Sequence, residues 1–158
     1  MRSGSRGGGR DRGPKQPTEF DERILQIRRV SKKTKGGNTI GFTALAVIGD
    51  KNGRVGVGYG KAPNVADAIS KAITTAKKGI VTVKISGNTI AHNVTSKFKS
   101  AKVFLKPAPK GTGIIAGGSI RTVVELAGIK DISAKMIGAS NKMCNIKCTL
   151  EALKKLKG

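Results

Sequence analysis

The chain has 158 residues, with 31 Lys and Arg against 9 Asp and Glu, which gives a formal net charge of +22. This length accommodates one domain or two small ones. Aromatic residues make up only 3%, and the lack of any apolar run of about 18 residues predicts no membrane span. Residues 1–13 are basic without a following apolar stretch, so we expect no secretory signal. Two cysteines are too few for a disulfide scaffold and favour a reducing compartment.

The excess positive charge predicts a polyanionic partner. Each phosphate contacted by Lys or Arg releases a condensed counterion, so nucleic acid is the leading candidate. An anionic membrane surface would instead require the charge on one face of a strongly amphipathic helix. The net charge is spread along the chain, with +4 over residues 1–18, +7 over 19–83 and +11 over 84–158. This spread favours a protein surrounded by nucleic acid.

Residues 1–18 are rich in Gly, Arg and Pro, and Met1 is their only apolar side chain. Such a segment buries too little surface to offset its ordering entropy, so we expect it to be disordered in isolation. It is either a flexible tail or a basic arm that becomes ordered on RNA phosphates, and the net charge favours the arm.

Residue patterns predict that the first folded unit, 19–83, contains three antiparallel strands. The strands are expected at 24–30, 39–49 and 54–60, with a polar loop at 31–38 and a turn at 50–53. Phe42 and Tyr59 are assigned to buried strand faces.

A helix is predicted to cover this sheet. Its apolar residues recur at three- and four-residue spacing from Val65 to Ala76. Asn64 is expected to cap its N-terminus, and Gly79 is expected to end it.

The rest of the chain, with a division between the units near 80–87 and the second unit at 84–158, is predicted to mix strands and two helices, so the whole chain is α+β. Strands are expected at 80–85, 88–98, 101–108 and 131–140. One helix begins at Gly117-Gly118-Ser119 and ends near Gly128, and another is capped by Asn141.

The glycine-rich segment 106–118 invites a nucleotide-binding interpretation. Gly111-x-Gly113-x-x-Ala116 fits a variant of the dinucleotide fingerprint, with Asp131 at about the expected distance. The segment also resembles the phosphate loop of the small-metabolite kinase superfamily that includes galactokinase and homoserine kinase. Ile114 and Ile115 stand where that loop has paired serines, which favours packing or backbone contact with an RNA phosphate.

The chain contains few side chains that could carry out catalysis or bind a metal ion. His92 is the only histidine, and Cys144 and Cys148 lie four residues apart without ligand-like spacing. Five aromatic residues are too few for base stacking of the RRM or OB kind. We therefore expect no catalysis, no cofactor and no metal, and recognition of folded RNA through phosphate, 2′-hydroxyl and shape.

Two paired motifs, KGG…GDKNGRVGVGYGKA in 35–62 and GTGIIAGG…ELAGIKD in 111–131, resemble the bacterial-type small-subunit ribosomal protein S5 family. The resemblance extends over about 135 residues from Phe20 onward. It implies an N-terminal double-stranded-RNA-binding-like domain of three antiparallel strands and a helix. It also implies a C-terminal β-α-β-α domain of the S5 domain 2-like fold, which those kinases share.

The same resemblance implies a structural role in the small ribosomal subunit. Implied partners are its rRNA, mRNA near the entry site, and ribosomal proteins S4 and S8, with no membrane and no small-molecule substrate. Effects on subunit assembly and decoding accuracy are also implied, on ribosomes of the cytoplasm or of an organelle. Asn38, Pro109-Lys110 and Lys142-Met143-Cys144 depart from the residues usual in the family.

The resemblance implies RNA contacts by Lys33, Lys35, Gly36 and Gly37 in the hairpin and by Arg54 and Lys61 on the sheet face. The remaining candidate RNA-binding residues are basic or polar and lie in the same hairpin or in the second unit: Arg28, Arg29, Lys32, Asn38, Lys97, Lys99, Lys106, Lys110 and Arg121. The alternatives are a small nucleotide-dependent kinase that uses loop 107–118, a free RNA chaperone and a membrane-surface protein.

Overall fold

The computed structural model describes residues 19–156, so the prediction of a disordered basic tail at 1–18 lies outside the described residues. Within that range no helix is long and apolar enough to cross a membrane. The elements in chain order are β1 (Asp21–Thr34), β2 (Gly37–Gly49), β3 (Arg54–Ala62), α1 (Val65–Lys78), β4 (Ile80–Thr82), β5 (Val94–Phe98), β6 (Ala101–Pro107), β7 (Ile114–Ile115), α2 (Gly118–Ala127), β8 (Ile132–Ile137) and α3 (Lys142–Lys154). The predicted α+β class is confirmed.

The first unit is an antiparallel sheet in the order β1-β2-β3-β4. The prediction of a loop at 31–38 was wrong, because the ladder between β1 and β2 continues to Thr34 opposite Gly37 and leaves a two-residue turn. The Thr34 hydroxyl donates to the Gly37 carbonyl at 2.9 Å, which closes this turn. Charged side chains gave the stretch a loop-like composition, but both faces of an exposed two-stranded ribbon meet solvent, so consecutive residues can be charged.

Helix α1 packs closely on this sheet because small residues line both surfaces. Gly56, Gly58 and Gly60 of β3 face the helix, and a Cβ added at Gly58 would lie within 2.4 Å of two backbone atoms of α1. The helix presents Ala68, Ala72 and Ala76 to them, all fully buried.

Helix α1 begins where it was predicted to begin, but the predicted capping hydrogen bond is not formed. Asn64 occupies the N-cap position, yet its side chain makes no capping hydrogen bond. Its amide nitrogen lies 3.3 Å from a carboxylate oxygen of Asp67. Gly79 follows the helix as predicted, with a φ of −109° rather than a left-handed conformation.

A fourth strand joins the first sheet. The strand predicted at 80–85 as part of the second unit is only β4, and it pairs antiparallel with β3 from Gly56 opposite Ile80 to Arg54 opposite Thr82. The short connection after α1 leaves the chain beside β3, so it adds to the nearest open edge of the sheet.

The second unit is a sheet in the order β5-β6-β8-β7, with β7 parallel to β8 and the other pairs antiparallel. The predicted strand 88–98 is reduced to β5, because Asn88 instead accepts the N–H groups of Lys130 and Asp131 with its carbonyl. The predicted helix boundaries are confirmed. Gly128 ends α2 in a left-handed conformation, and the Asn141 side chain accepts the Met143 N–H.

The two units share one hydrophobic core. Leu45, Val47 and Val55 of the first sheet belong to the same buried cluster as residues of α2 and α3. The first sheet is therefore covered on one face by α1 and on the other by the second unit. The expected burial of Tyr59 was wrong, because this part of β3 extends past that contact and leaves the ring 49% exposed. Phe42 packs against the alanines under α1.

Candidate nucleic-acid interface

The β1–β2 hairpin extends beyond the rest of the first sheet. The pairing of β2 with β3 stops at Phe42 opposite Ala62, whereas β1 and β2 remain paired to Thr34. Residues 30–41 therefore form a projecting two-stranded ribbon, which we call the hairpin arm. All side chains from Ser31 to Ile40 are exposed.

Basic side chains occupy both faces of the hairpin arm and its base. Lys32 lies opposite Thr39 on one face, and Lys33 lies opposite Asn38 on the other. Arg28 and Arg29 continue the two faces toward the sheet. Residues 23–49 contain no Asp or Glu, so the arm presents a purely positive surface that suits a polyanion.

The tip of the arm leaves its backbone accessible. Lys35 and Gly36 form the turn, and Gly37 has a φ of +131°, which favours glycine. A Cβ at Gly36 or Gly37 would meet no atom within 4 Å. The main chain at the tip can therefore approach a phosphate backbone closely.

Lys61 lies near the arm, whereas Arg54 lies at the opposite end of the sheet. Arg54 begins β3 and pairs with Asp50, with 2.6 Å between Nε and Oδ2. Its guanidinium carbon also lies 5.2 Å from the centre of the Phe20 ring. The hydrogen bond to Asp50 raises the pKa of Arg54. The structure therefore brings Lys61, but not Arg54, together with the arm residues.

A second basic surface lies on the open face of the second sheet. Lys97 pairs with Lys102, which in turn pairs with Ile137, and Phe104 lies between Thr95 and Lys135. Residues directly opposite share a face, so four exposed lysines lie on the side away from α2 and α3. We call these four the lysine face: Lys97, Lys102, Lys106 and Lys135.

Lys102 and Lys135 belong to this surface but are not among the residues predicted to bind RNA. Their alternation with apolar residues was visible, but the register that sets them beside Lys97 and Lys106 joins strands about 30 residues apart. Strands β5, β6 and β8 contain no Asp or Glu. Like charges directly opposite each other destabilise a sheet, which a bound anion would relieve.

Lys99 lies at the edge of this surface, in the turn between β5 and β6. It adopts a left-handed backbone with a φ of 54°. Its ammonium nitrogen lies 6.0 Å from the centre of the Phe98 ring, and that of Lys147 lies 5.8 Å from the same ring. Lys147 is a further cation that is not among the residues predicted to bind RNA.

Arg121 is paired within the protein. Its Nε lies 2.9 Å from Glu125, whose other carboxylate oxygen lies 2.6 Å from Arg23. The hydrogen bond from Arg121 is the largest cause that lowers the pKa of Glu125. Arg121 is thus part of an ion-pair network that connects α2 with β1, away from the lysine face.

The glycine-rich segment is closed by a carboxylate of the protein itself. Oδ1 of Asp131, a buried residue, accepts the N–H groups of Gly111 at 3.1 Å and Gly113 at 2.9 Å. Lys110 is exposed in the same loop. In a dinucleotide site the glycines follow a strand and open a helix, but here they precede β7. Because the Asp131 side chain already accepts the N–H groups of Gly111 and Gly113, these amides do not offer a site for a nucleotide phosphate.

The histidine and cysteines do not come together. Cys148 is buried and its thiol donates to the Ser96 carbonyl at 3.2 Å, and burial raises its pKa. Cys144 is half-buried, whereas His92 is exposed. Among residues 19–156, no three His, Cys, Asp or Glu side chains are grouped so that they could hold a metal ion.

Comparison with known proteins assigns both units to one family. Residues 20–84 match the model of the ribosomal protein S5 N-terminal domain, and residues 96–158 match that of the C-terminal domain. The chain is similar to small ribosomal subunit protein uS5 of Campylobacter jejuni subsp. jejuni serotype O:23/36 (strain 81-176) and serotype O:6 (strain 81116 / NCTC 11828), and of Campylobacter jejuni strain RM1221. Each is 54% identical over 140 residues, which cover 89% of this chain and 95% of the relative.

Both domain matches point to the same family. The basic surfaces and the glycine loop closed by Asp131 are consistent with that family. The chain belongs to the ribosomal protein S5 family, a family of structural proteins of the small ribosomal subunit and not of enzymes.

Proposed function

We propose that this protein is a structural constituent of the small ribosomal subunit that binds rRNA through the hairpin arm and the lysine face. The observation that carries the proposal is the arm, a ribbon with lysines on both faces and no carboxylate, which projects from the first sheet. Contacts of this kind position a protein on folded RNA without reading its sequence. Both surfaces must meet phosphate at once, which requires RNA that folds around the protein.

Family membership supports the finer parts of this proposal. By analogy with the family, the protein contributes to subunit assembly, lies near the mRNA entry site and influences decoding accuracy. Its proposed protein neighbours are S4 and S8, and its proposed location is the ribosome of the cytoplasm. The positive charge of the arm, which no carboxylate of the arm neutralises, suits the RNA contacts that these roles require.

The test of RNA binding by the arm is the salt dependence of affinity for small-subunit rRNA. In the variant Lys33→Gln/Lys35→Gln, each lost phosphate contact is expected to reduce the slope of log affinity against log salt by about 0.7–0.9. Filter binding at several salt concentrations measures this slope. An unchanged slope would remove the arm from the interface.

A matched control is Lys51→Gln/Lys77→Gln, which changes the net charge equally. Both lysines are ion-paired, Lys51 with Asp21 and Lys77 with Glu22. They lie at the end of the sheet away from the arm. The control is expected to leave the slope unchanged, and sedimentation of the full-length variants with small subunits in a gradient tests assembly.

A further inference from the structure

A groove lies at the base of the hairpin arm, between β2 and the end of β3. Its volume is about 430 Å³, within the range typical of ligand sites. The residues that matter for its chemistry are Val30, Lys32, Ile40, Lys61, Pro63 and Lys71.

The groove exists because β3 ends while β2 continues. Ala62 is the last residue of β3 and lies opposite Phe42. Pro63 follows and cannot extend the ladder, since it has no backbone N–H. The part of β2 before Phe42 therefore has no neighbouring strand on that side, and α1 begins only at Val65. An open edge of backbone is left beside the groove.

Three lysines from three different elements surround the groove. Lys32 comes from β1, Lys61 from β3 and Lys71 from α1. All three are exposed, and within residues 19–156 none of them forms a salt bridge. No Asp or Glu of the described chain lines the groove. The charge is therefore complementary to an anion.

Apolar side chains lie between these lysines on both faces of the open edge of β2. Ile40 is 43% exposed although it is a large aliphatic residue, and it lies opposite Ser31, whereas Val30 lies opposite Gly41 on the other face. Pro63 lines the groove beside them. A groove that combines aliphatic groups with lysines does not suit a bare inorganic anion, which offers no surface to the aliphatic groups. It suits a molecule that combines a flat, weakly polar body with negative charge.

We propose that the groove holds one nucleotide of RNA that is unstacked from its helix. The base lies against the aliphatic side chains at the open edge of β2, and the phosphates on either side of it meet Lys32 and Lys61 on one face and Lys71 on the other. Bases displaced from loops and bulges are the parts of folded RNA that proteins commonly bind individually. This inference rests on the proposed function, because the arm brings the RNA to the groove.

The first test compares two isoleucines of nearly equal exposure in the full-length protein. Ile40→Thr removes part of the aliphatic surface at this edge, whereas the control Ile24→Thr alters a residue that is 45% exposed on β1 and does not line the groove. Ile40→Thr is expected to weaken rRNA affinity by about three- to tenfold, with the salt slope unchanged. The control is expected to have the wild-type affinity. Equal affinities of the two variants would overturn the proposal.

The second test locates the RNA by crosslinking. Small-subunit rRNA that carries 4-thiouridine is irradiated with the wild-type protein, and the crosslinked peptides are mapped. Crosslinks to the segments around Ile40 and Lys61 support the groove. Crosslinks at the arm tip without any in the groove overturn this inference but leave the proposed function intact. Failure of Lys33→Gln/Lys35→Gln to alter the salt slope would instead count against the proposed function.

Discussion

The backbone N–H of Gly53 donates a hydrogen bond to the carbonyl oxygen of Ala127 across 2.9 Å. Gly53 lies in the turn between β2 and β3, and Ala127 is the last residue of α2. In the same turn the Lys51 N–H donates to the Leu126 carbonyl at 3.0 Å. The last carbonyl groups of a helix have no partner within it. A turn of the first unit therefore completes the end of a helix in the second, which fixes the arm relative to the lysine face.

The first prediction concerns Gly128, which follows α2 at this junction. Its φ is +94°, and an added Cβ would clash with the carbonyl of Lys51. Because both the backbone conformation and the contact oppose a side chain, Gly128→Ala is expected to reduce the free energy of unfolding by about 2–4 kcal/mol. Urea unfolding measures the loss.

The matched control is Gly79→Ala at the end of α1. Gly79 has a φ of −109°, and its nearest neighbour would lie 3.8 Å from the new Cβ. A change within about 1 kcal/mol is expected there. A Gly128→Ala variant as stable as this control would contradict the proposed role of the junction.

The second prediction concerns the acid sensitivity of the β2–β3 turn. Asp50 accepts the N–H groups of Asn52 at 2.8 Å and Arg54 at 2.9 Å. Burial raises the pKa of Asp50, but the hydrogen bonds from the Arg54 side chain and from these N–H groups outweigh it and hold the pKa below its ordinary value. The resulting stability is complete above the unfolded pKa of about 3.9 and is lost as the pH falls through the folded pKa.

Asp50→Asn tests this linkage. The difference in unfolding free energy between wild type and variant is expected to be largest at neutral pH and to shrink below about pH 4. Urea unfolding at a series of pH values measures the difference. A difference that stayed constant down to pH 3 would show that the charge of Asp50 does not contribute.

The third prediction concerns the close contact of β3 with α1. Gly58→Ala would place a methyl group against the Ala72 carbonyl and the Ala76 N–H, backbone atoms that cannot rotate away. We expect a loss of about 3 kcal/mol, or a fall in Tm of about 6–12 °C. Gly36→Ala, where the new methyl group meets no atom within 4 Å, is the control and is expected to keep the wild-type Tm. Calorimetry distinguishes the two, and equal Tm values would contradict the contact.

Local patterns in the sequence were sufficient to predict most helices and their ends. Asn141 and Gly128 act within one turn of their own position, so spacing alone identified them. Gly56, Gly58 and Gly60 could be recognised as places of close backbone approach. By contrast, the strand character of residues 31–34 depends on pairing across the hairpin. The charged residues in this segment favoured a loop prediction instead.

The site was predictable where it lies within one hairpin and not where it depends on register. Lys33 and Lys35 are neighbours in sequence and in space, so their role could be proposed from the chain alone. The grouping of Lys102 with Lys135 follows from pairing of β6 with β8. The ion pairs of Arg54 and Arg121 likewise could not be predicted from the sequence. Nothing in the sequence distinguishes an arginine that forms an ion pair from one that does not.

The last prediction concerns the lysine face, where folding and binding place opposite demands on the same side chains. Lys97 and Lys102 lie directly opposite each other, so their repulsion reduces the stability of the free protein by about 0.2–1 kcal/mol. Lys102→Gln/Lys135→Gln is expected to raise unfolding stability at low salt while it lowers rRNA affinity and reduces the salt slope by about 1.4–1.8.

Lys51→Gln/Lys77→Gln is the control for this experiment as well. Its lysines are paired with carboxylates, so its removal of two charges is expected to give neither a gain in stability nor a loss of slope. Urea unfolding and filter binding on the same samples measure both quantities. Loss of stability together with loss of affinity in Lys102→Gln/Lys135→Gln would indicate that these lysines support the fold. A gain in stability together with a loss of rRNA affinity is expected only if these lysines serve to bind a polyanion, since the free protein is more stable without them.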